Sequence, residues 1–529
     1  MLTRGRRAAG LAVLAAAVTA CGSTVQAIAP VTAGTENLSA TAPAAAPTGD
    51  AGLAGPAVPT APSTRGDAGN PDLAPTSGAT TDGARGGGAL PAAGGPSSGG
   101  GTVPLHQGVG VTPTALYVGV TYTTNGDAAN AAVGAAGVTH GDEKADIAAV
   151  VADINAHGGV AGRKLVAVYH PYDAKSTAPY ATQDQAACAD FTQDHHVFAV
   201  LGAGYTDDFT NCVTRAGALH IDQGEIIYPD NGFFRQHPDY FNIGTLSQDR
   251  MMAAEAAALV RMDYFHGWNT ATGQPGAGRA KVGIISFDIP EWERPLTHVL
   301  LPALAQAGHP VAAQDIYRVP NPGGTADTGR IAAGIQSATL RFRQDGVTHV
   351  IILDTTGGLT LFFTGAARSQ RYFPRLGANS ATGMQALFDS GVITNNQLAG
   401  AVGLGWLPIL DLPAAQGDKY ATSATRHCLQ VIKQRTGQTF DSTNAASLAL
   451  GYCDQLYLLR AAVDRAGPVL DQDTGRAALE AIGSGFTAAD LPAFFLSPTH
   501  HDSARLGYDL RWNTQCQCAQ YVGGAHVIP

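Results

Sequence analysis

Residues 140–173, HGDEKADIAAVVADINAHGGVAGRKLVAVYHPYD, decide the fold of this chain. Apolar residues recur at i, i+3, i+4 and i+7, as on one face of a helix: Ile147, Val150, Val151 and Ile154. Asp142 is suited to cap the start of this helix. Gly158 and Gly159 end it, because glycine takes the left-handed cap conformation at little cost. Residues 164–169 (KLVAVY) then predict a strand.

Another strand is predicted before the helix, at residues 115–122 (ALYVGVTY). Strand, helix and strand in one short span form a βαβ unit, and therefore a parallel sheet with both faces covered. The pattern restarts at residues 281–287 (KVGIISF) and runs through a strand at residues 347–353 (VTHVIIL). Two successive runs of alternating strands and helices predict an α/β fold of two doubly wound parallel-sheet lobes.

The end of the first helix and the turn after it, DINAHGGVAGRKL at residues 153–165, resemble the "IN…GG(V/I)-G-(R/K)" signature of bacterial type I solute-binding proteins. These are the leucine/isoleucine/valine-binding-like receptors of ABC importers. The resemblance covers roughly residues 114–523 and implies a type I periplasmic-binding-protein fold, in which a hinge joins two lobes. It places the chain crossings near Leu246, Trp406 and Ser497. Lobe 1 is then about 114–246 and 407–497, and lobe 2 about 247–406 and 498–523.

Residues 1–21 are predicted to be a lipoprotein signal peptide. A positive start (Arg4, Arg6, Arg7) precedes an apolar stretch that is too short to span a bilayer. Residues 18–21 (VTAC) match a bacterial lipobox, which predicts lipidation of Cys21 and anchoring on the outer face of the cytoplasmic membrane. The alternative is an ordinary secretory signal with Cys21 incidental. No other run is apolar enough for a membrane helix, so the lipid anchor is the predicted membrane contact.

Residues 22–113 are rich in Ala, Gly, Pro, Thr and Ser and carry few large apolar side chains. Such a segment cannot bury enough surface to offset the entropy of folding, so a disordered linker is predicted. A flexible chain of this length spans roughly 50 Å. It would tether a folded domain away from the membrane, or be low-complexity sequence without a selected length.

Net charge and the absence of known motifs make several classes of function less favoured. The formal net charge of −10 over 529 residues argues against nucleic acid or an anionic membrane surface as a partner. The sequence has no Gly-x-Ser-x-Gly elbow, no His-Glu-x-x-His and no phosphate loop, so nothing in it favours an enzyme. No cofactor and no metal site are predicted. The paired histidines at residues 195–196 and 500–501 are interpreted as solvated loop residues.

Seven cysteines minus a lipidated Cys21 leave six in a compartment where disulfides form. Six cysteines permit 15 pairings. Proximity in the sequence favours Cys188 with Cys212 and Cys428 with Cys453, since each pair lies on neighbouring predicted helices. Cys516 and Cys518 remain, and their pairing is left open because the loop between them is so short.

Ligands of open α/β sheets bind at the carboxyl ends of the strands, where helix N-termini also point. This rule selects the loops after several predicted strands and one segment at the first crossing. The candidate ligand-binding residues are Tyr205, Thr206, Asp207, Gln223, Glu225, Gln248, Asp288, Trp292, Asp354, Thr355 and Ser380.

Several candidates have both a ligand-binding and a purely structural interpretation. Tyr205 and Thr206 offer hydroxyl and backbone donors, while Asp288, Asp354 and Glu225 are suited to an ammonium group or a sugar hydroxyl. A helix cap, a turn and helix packing would equally explain Asp207, Asp354 and Trp292.

The loop after the third strand departs from the resembling family. That family offers a small Ser/Thr cluster there to the ligand carboxylate, whereas this chain has GYTDD at residues 204–208. Partly desolvated acids beside a ligand carboxylate would cost several kcal/mol. A branched-chain amino acid is therefore disfavoured, and a cationic, peptide-like or polyhydroxylated ligand is favoured.

Together these features predict a lipid-anchored extracytoplasmic solute-binding protein. It would capture a small molecule (amino-acid-like, peptide-like or polyhydroxylated) between its lobes and deliver it to an ABC permease. A ligand-binding sensor or cell-envelope lipoprotein without transport is the alternative, and a secreted hydrolase is a third.

Overall fold

The computed structural model describes residues 107–224, 229–440, 442–467 and 469–528. The predicted signal peptide, Cys21 and the predicted linker up to residue 106 lie outside these residues. From residue 107 the chain belongs to the folded part, because Gly108 N–H donates to Leu470 O at 2.7 Å and Arg163 donates to Thr112 O at 2.9 Å. The fold therefore begins a few residues before residue 113, where the linker was predicted to end.

The chain first builds a five-stranded sheet. Its strands are β1 (Ala115–Thr124), β2 (Lys164–Asp173), β3 (Ala199–Leu201), β4 (Leu219–Asp222) and β5 (Tyr240–Asn242). Its helices are α1 (Gly126–Ala132), α2 (Glu143–Ala156), α3 (Tyr180–Ala189), α4 (Asp207–Arg215) and α5 (Asn231–Gln236). This first sheet is parallel throughout, in the order β2-β1-β3-β4-β5.

The next run builds a second sheet and a small hairpin. Its strands are β6 (Trp268–Asn269), β7 (Gln274–Pro275), β8 (Val282–Asp288), β9 (Ile316–Pro320), β10 (His349–Ile352), β11 (Arg375–Asn379) and β12 (Val402–Gly405). Its helices are α6 (Gln248–Arg261), α7 (Pro290–Pro295), α8 (Leu301–Gln306), α9 (Thr328–Gln344), α10 (Gly358–Ser369) and α11 (Met384–Asp389). Strands β6 and β7 pair only with each other.

The C-terminal run serves both sheets. It consists of α12 (Pro408–Asp411), α13 (Ala414–Gly417), α14 (Ser423–Thr436), α15 (Thr443–Ala466), α16 (Gln472–Glu480), β13 (Leu506–Asn513) and β14 (Cys518–Val527). Helices α14 and α15 pack on α2, and α16 packs on β4. The last two strands add an antiparallel edge to the second sheet, giving β14-β13-β12-β11-β10-β8-β9. No helix within the described ranges is long and apolar enough to cross a lipid bilayer.

The two sheets repeat one strand order. The second sheet without its antiparallel edge reads β9-β8-β10-β11-β12, which is the order of the first sheet with each strand replaced by its counterpart. In both, the order reverses beside the first strand, and such a switch point opens a crevice at the carboxyl ends of the strands. The prediction of two doubly wound parallel sheets is confirmed.

The turn that carries the family resemblance has a clear physical role. The Asp142 side chain caps α2 by accepting from Ala145 N–H at 3.0 Å. The Asn155 side chain bonds both backbone groups of Leu165 (2.8 and 2.9 Å), so the end of α2 is fixed to the start of β2. Gly159 has φ +73° there, and a Cβ at this position would overlap Arg163 O. Helix stop and strand start are thus one hydrogen-bonded unit.

The chain passes between the sheets at three places, and the first and third are bonded together. Asn242 N–H donates to His501 O at 2.8 Å, and Ser247 N–H donates to Asp502 Oδ2 at 2.7 Å. Asp502 also forms an ion pair with Arg250. His501 is buried and stacked on Phe241, with ring centroids 4.2 Å apart. Its interpretation as a solvated loop histidine is therefore wrong.

Three disulfides lie within the part of the chain that the structure describes. Cys188 on α3 pairs with Cys212 on α4, and Cys428 on α14 pairs with Cys453 on α15. These are the two pairings that proximity in the sequence favours. Cys516 pairs with Cys518 in the turn between β13 and β14.

Removing one of the helix–helix disulfides should lower stability far more than removing the turn disulfide. The Cys428–Cys453 bond closes a loop with a sequence separation of 25 residues, for which chain entropy gives about 3.5 kcal/mol. Urea unfolding of the paired serine variants Cys428→Ser/Cys453→Ser and Cys516→Ser/Cys518→Ser measures both effects. Equal losses in free energy of unfolding would contradict this account.

Candidate ligand-binding cleft

Two adjoining cavities lie at the carboxyl ends of the strands, between the two sheets. The central cavity, of about 400 Å³, includes Gln223, Ser447, Leu387 and Leu407 in its walls. The acidic cavity, of about 610 Å³, includes Asp207 and Glu291. Both volumes suit a small molecule, for which sites of roughly 300–1,000 Å³ are usual. The cavities meet at a shared set of residues: Asn130, Tyr180, Tyr205, Thr355 and Thr356.

A further cavity of about 530 Å³ lies elsewhere, against α5 and the third crossing, beside His500. None of the predicted site residues that the structure describes lines it. The central and acidic cavities, together called the cleft, are therefore the candidate site.

The loop after β3 is held by a buried carboxylate that sequence reasoning missed. Asp184 on α3 is 1% exposed and accepts from Tyr205 N–H at 2.9 Å and from the Thr206 hydroxyl at 2.7 Å. Tyr172 donates to the same carboxylate at 2.8 Å. Burial raises the pKa of Asp184, and these hydrogen bonds oppose the rise. Donors that the sequence assigned to a ligand are therefore already used within the protein.

Tyr205 keeps a second role at the cavity wall. Its ring stacks on Tyr180 with centroids 4.2 Å apart and meets the edge of Tyr172 at 4.7 Å. The aromatic face shared by Tyr180 and Tyr205 lines both cavities.

Asp354 lines the acidic cavity, but its carboxylate oxygens are bonded within the protein. It is 1% exposed, and its oxygens accept from Thr355 N–H and from both the N–H and the hydroxyl of Thr360, each at 2.8 Å. It thus satisfies the first turn of α10, and burial raises its pKa. Thr355, beside it, lines both cavities.

The acidic cavity takes its character from α4 and α7. Burial, reinforced by the charge of Glu291, raises the pKa of Asp207 to about 6. Trp292 is 1% exposed and packs edge-on against Phe287 at 5.4 Å, so only a small part of it reaches the cavity. None of the described residues that line either cavity is a lysine or an arginine.

Gln223 reaches the central cavity by packing against α15. A Cβ at Gly451 would overlap the amide end of the Gln223 side chain, which would then have to move. The side chain is fixed by weak bonds to Ser447 O at 3.5 Å and from Gln455 at 3.3 Å.

Three predicted site residues do not line either cavity. Asp288 is exposed at the end of β8, because strand alternation turns Phe287 towards the cleft and Asp288 away from it. Gln248 is buried at the start of α6. Ser380 is buried and bonds Asp411 (2.7 Å) and Trp406 N–H (2.8 Å), which fixes the second crossing. Glu225 lies outside the described residues.

The central cavity also contains polar residues from the C-terminal run that sequence reasoning missed. Asn444 and Ser447 lie on the first turns of α15, and Asp490 follows α16. The Asp490 carboxyl accepts from the Ser447 hydroxyl at 3.0 Å. Its sequence signal is an acid in an otherwise apolar run, AADLP at residues 488–492, close to a predicted crossing.

Comparison with known proteins gives the fold. No family model and no curated protein sequence matches the chain. Solved structures do match it, including a possible leucine/isoleucine/valine-binding protein from Rhodopirellula baltica (14% identity, 78% of this chain and 96% of the other, TM-score 0.53). A fatty acid ABC transporter substrate-binding protein from Thermomonospora curvata matches at 15% identity, over 80% and 97% of the two chains, with TM-score 0.53.

A solute-binding protein of an ABC transporter from Rhodopseudomonas palustris, solved with p-hydroxybenzoic acid, matches at 14% identity over 78% and 97% of the chains, with TM-score 0.53. The names of all three describe binding proteins, the first as a possible one. The type I periplasmic-binding-protein fold expected from the resemblance is confirmed.

Replacing Asp184 by alanine should destabilise the cleft loop. The Tyr205 N–H and the Thr206 hydroxyl would lose their acceptor, which costs about 1–3 kcal/mol in free energy of unfolding. Urea unfolding, with Asp194→Ala on the exposed part of the same segment as control, measures the loss. Similar stabilities for the two variants would show that the loop does not depend on this carboxylate.

Proposed function

We propose that this protein is a lipid-anchored extracytoplasmic solute-binding protein that captures a small molecule in the cleft and presents it to an ABC-type importer. The observation that carries the proposal is the pair of cavities at the strand ends, with walls from both sheets. The likeness in fold to solute-binding proteins supports it.

The lobes of this proposal follow the two sheets. Lobe 1 is about 114–246 and 407–497, and lobe 2 about 247–406 and 498–523, with the three crossings as the hinge. A ligand that touches both walls would favour closure only by its greater affinity for the closed state. Closure buries polar groups around the ligand, so each one needs a partner and the site becomes selective.

Contacts already bridge the rim of the cleft. Arg294 on α7 forms a two-pronged ion pair with Asp230, before α5, at 2.6 and 2.8 Å. On another edge the Thr325 hydroxyl donates to Ser176 O at 2.6 Å, and Tyr180 N–H donates to Gly323 O at 2.8 Å. These bonds join the proposed lobes, and their loss would favour an open arrangement.

Cutting the Arg294 bridge should expand the ligand-free protein. The Arg294 side chain is 42% exposed, so its pair is worth roughly 0.2–1 kcal/mol, enough to shift a near-balanced equilibrium a few-fold. Small-angle scattering of Arg294→Ala should show a larger radius of gyration than wild type. Arg318→Ala is the matched control, because its two-pronged pair with Glu293 lies within one proposed lobe.

A thermal-shift screen against a metabolite library tests binding itself. A compound that raises the melting temperature should also restore compactness in Arg294→Ala. A stabilising compound that leaves the scattering of that variant unchanged would reject closure. A library without any stabilising compound would reject the receptor role.

The lipid anchor is tested separately. Cys21→Ser should send the protein into the medium or leave an unprocessed precursor, because the diacylated cysteine is the proposed attachment. Fractionation and mass spectrometry of the N-terminus measure this outcome. Membrane attachment and processing like those of wild type would rule out the lipobox interpretation.

A further inference from the structure

Asp490 lines the central cavity, and one of its carboxyl oxygens has no hydrogen-bond partner among the described residues. It is 4% exposed and lines the cavity. One carboxyl oxygen accepts from the Ser447 hydroxyl at 3.0 Å, whereas Oδ1 has no partner among the described residues. Buried polar atoms without a partner are rare, and a bound molecule is one way to satisfy them.

A second buried acid, Asp454, lies next to Asp490. Asp454 accepts from the backbone N–H groups of Ala489 (2.6 Å) and Asp490 (3.0 Å). Burial and the nearby Asp454 raise the pKa of Asp490 well above its usual range. The raised pKa favours the protonated carboxyl, which can donate and accept at the same time.

The described walls of both cavities contain no lysine or arginine that could act as counter-ion to a carboxylate. His140 also lines the central cavity, and its Nδ1 is already bonded to Glu143 at 2.8 Å. The backbone donors after β3 and at α10 are taken by Asp184 and Asp354. Asp207 and Glu291 line the neighbouring acidic cavity and repel an anion.

An apolar surface faces the acid. Leu387, Leu407, Leu410 and Leu448 line the same cavity, with the stacked rings of Tyr180 and Tyr205 beside them. A hydrocarbon or aromatic group would be well covered there.

We infer that the central cavity takes an uncharged amphipathic molecule. Its hydroxyl or primary amide would bond Asp490 and Ser447, and its alkyl or aromatic body would lie against the leucines. This inference rests on the proposed function and narrows its ligand. It separates the protein from receptors that hold a ligand by a free carboxylate.

Matched compounds that differ only in their end group test the ligand class. Two parent acids are used, N-acetyl-leucine and para-hydroxybenzoate. Each acid is compared with the primary amide, the alcohol and the amine that keep the rest of its molecule unchanged. Calorimetry with the full folded chain should find an amide or alcohol binding about tenfold tighter than the acid of the same body, since an acid must be desolvated without a counter-ion. An acid or amine that binds tightest overturns the inference but leaves small-molecule binding intact.

A panel from which nothing binds also overturns the inference, while the metabolite screen decides the receptor role on its own. The two failures are thus distinguishable.

Variants at Asp490 test the contact. Asp490→Asn keeps a neutral donor and acceptor of the same shape, so affinity for the best neutral compound should stay within about threefold. Asp490→Leu should lose about tenfold. Asp345→Asn, exposed and outside both cavities, is the control for surface charge. Thermal melting confirms that each variant is folded.

Two outcomes overturn the assignment of Asp490. Full affinity in Asp490→Leu would show that the ligand does not use this residue. A loss in Asp490→Asn as large as in Asp490→Leu would show that the carboxyl acts as an anion, and hence that the ligand is a cation.

Discussion

A buried carboxylate must be given hydrogen-bond donors, and this chain meets the requirement with its own backbone at the carboxyl ends of its strands. Asp184 bonds the loop after β3, Asp354 the first turn of α10, and Asp222 the backbone of Gly224. Each bond fixes a loop in the cleft before any ligand arrives. Loops that are ordered in advance lose little entropy on binding, so the free energy of contact goes into affinity and selectivity.

The same bonds decide which groups remain for a ligand. Parallel sheets direct helix N-termini at their crevice, and unoccupied N-termini attract anions. At the loop after β3, Asp184 and the acids in the first turn of α4 oppose that attraction. At the loop after β10, Asp354 does the same. The central cavity then offers hydroxyl, amide, aromatic and aliphatic groups, with Asp490 among its lining residues. The charge distribution of the described walls thus disfavours an anion.

The fold could be predicted from the sequence because the features that specify its helices and turns are properties of neighbouring residues. The apolar stripe of α2, the cap at Asp142 and the turn at Gly159 lie within one stretch, and each is a property of neighbouring residues. Short strands such as β5 (Tyr240–Asn242) and β12 (Val402–Gly405) carry too few residues for a periodicity, and were not predicted. They exist because adjacent strands provide the partners.

The site could be predicted from the sequence only in part. Whether a residue reaches the cavity depends on the direction of its side chain and on hydrogen-bond partners far away in the sequence. The rule that ligands bind at strand ends found Tyr205, Asp207, Gln223 and Thr355 in the walls. It could not tell that the oxygens of Asp354, which also lines the acidic cavity, are occupied by Thr360, because a threonine donor can replace a ligand donor. Nor could it find Asp490, which lines the same cavity as Gln223 although more than two hundred residues of sequence separate them. The walls of the cleft come from segments that are far apart in the sequence, so no single local pattern contains all of its residues.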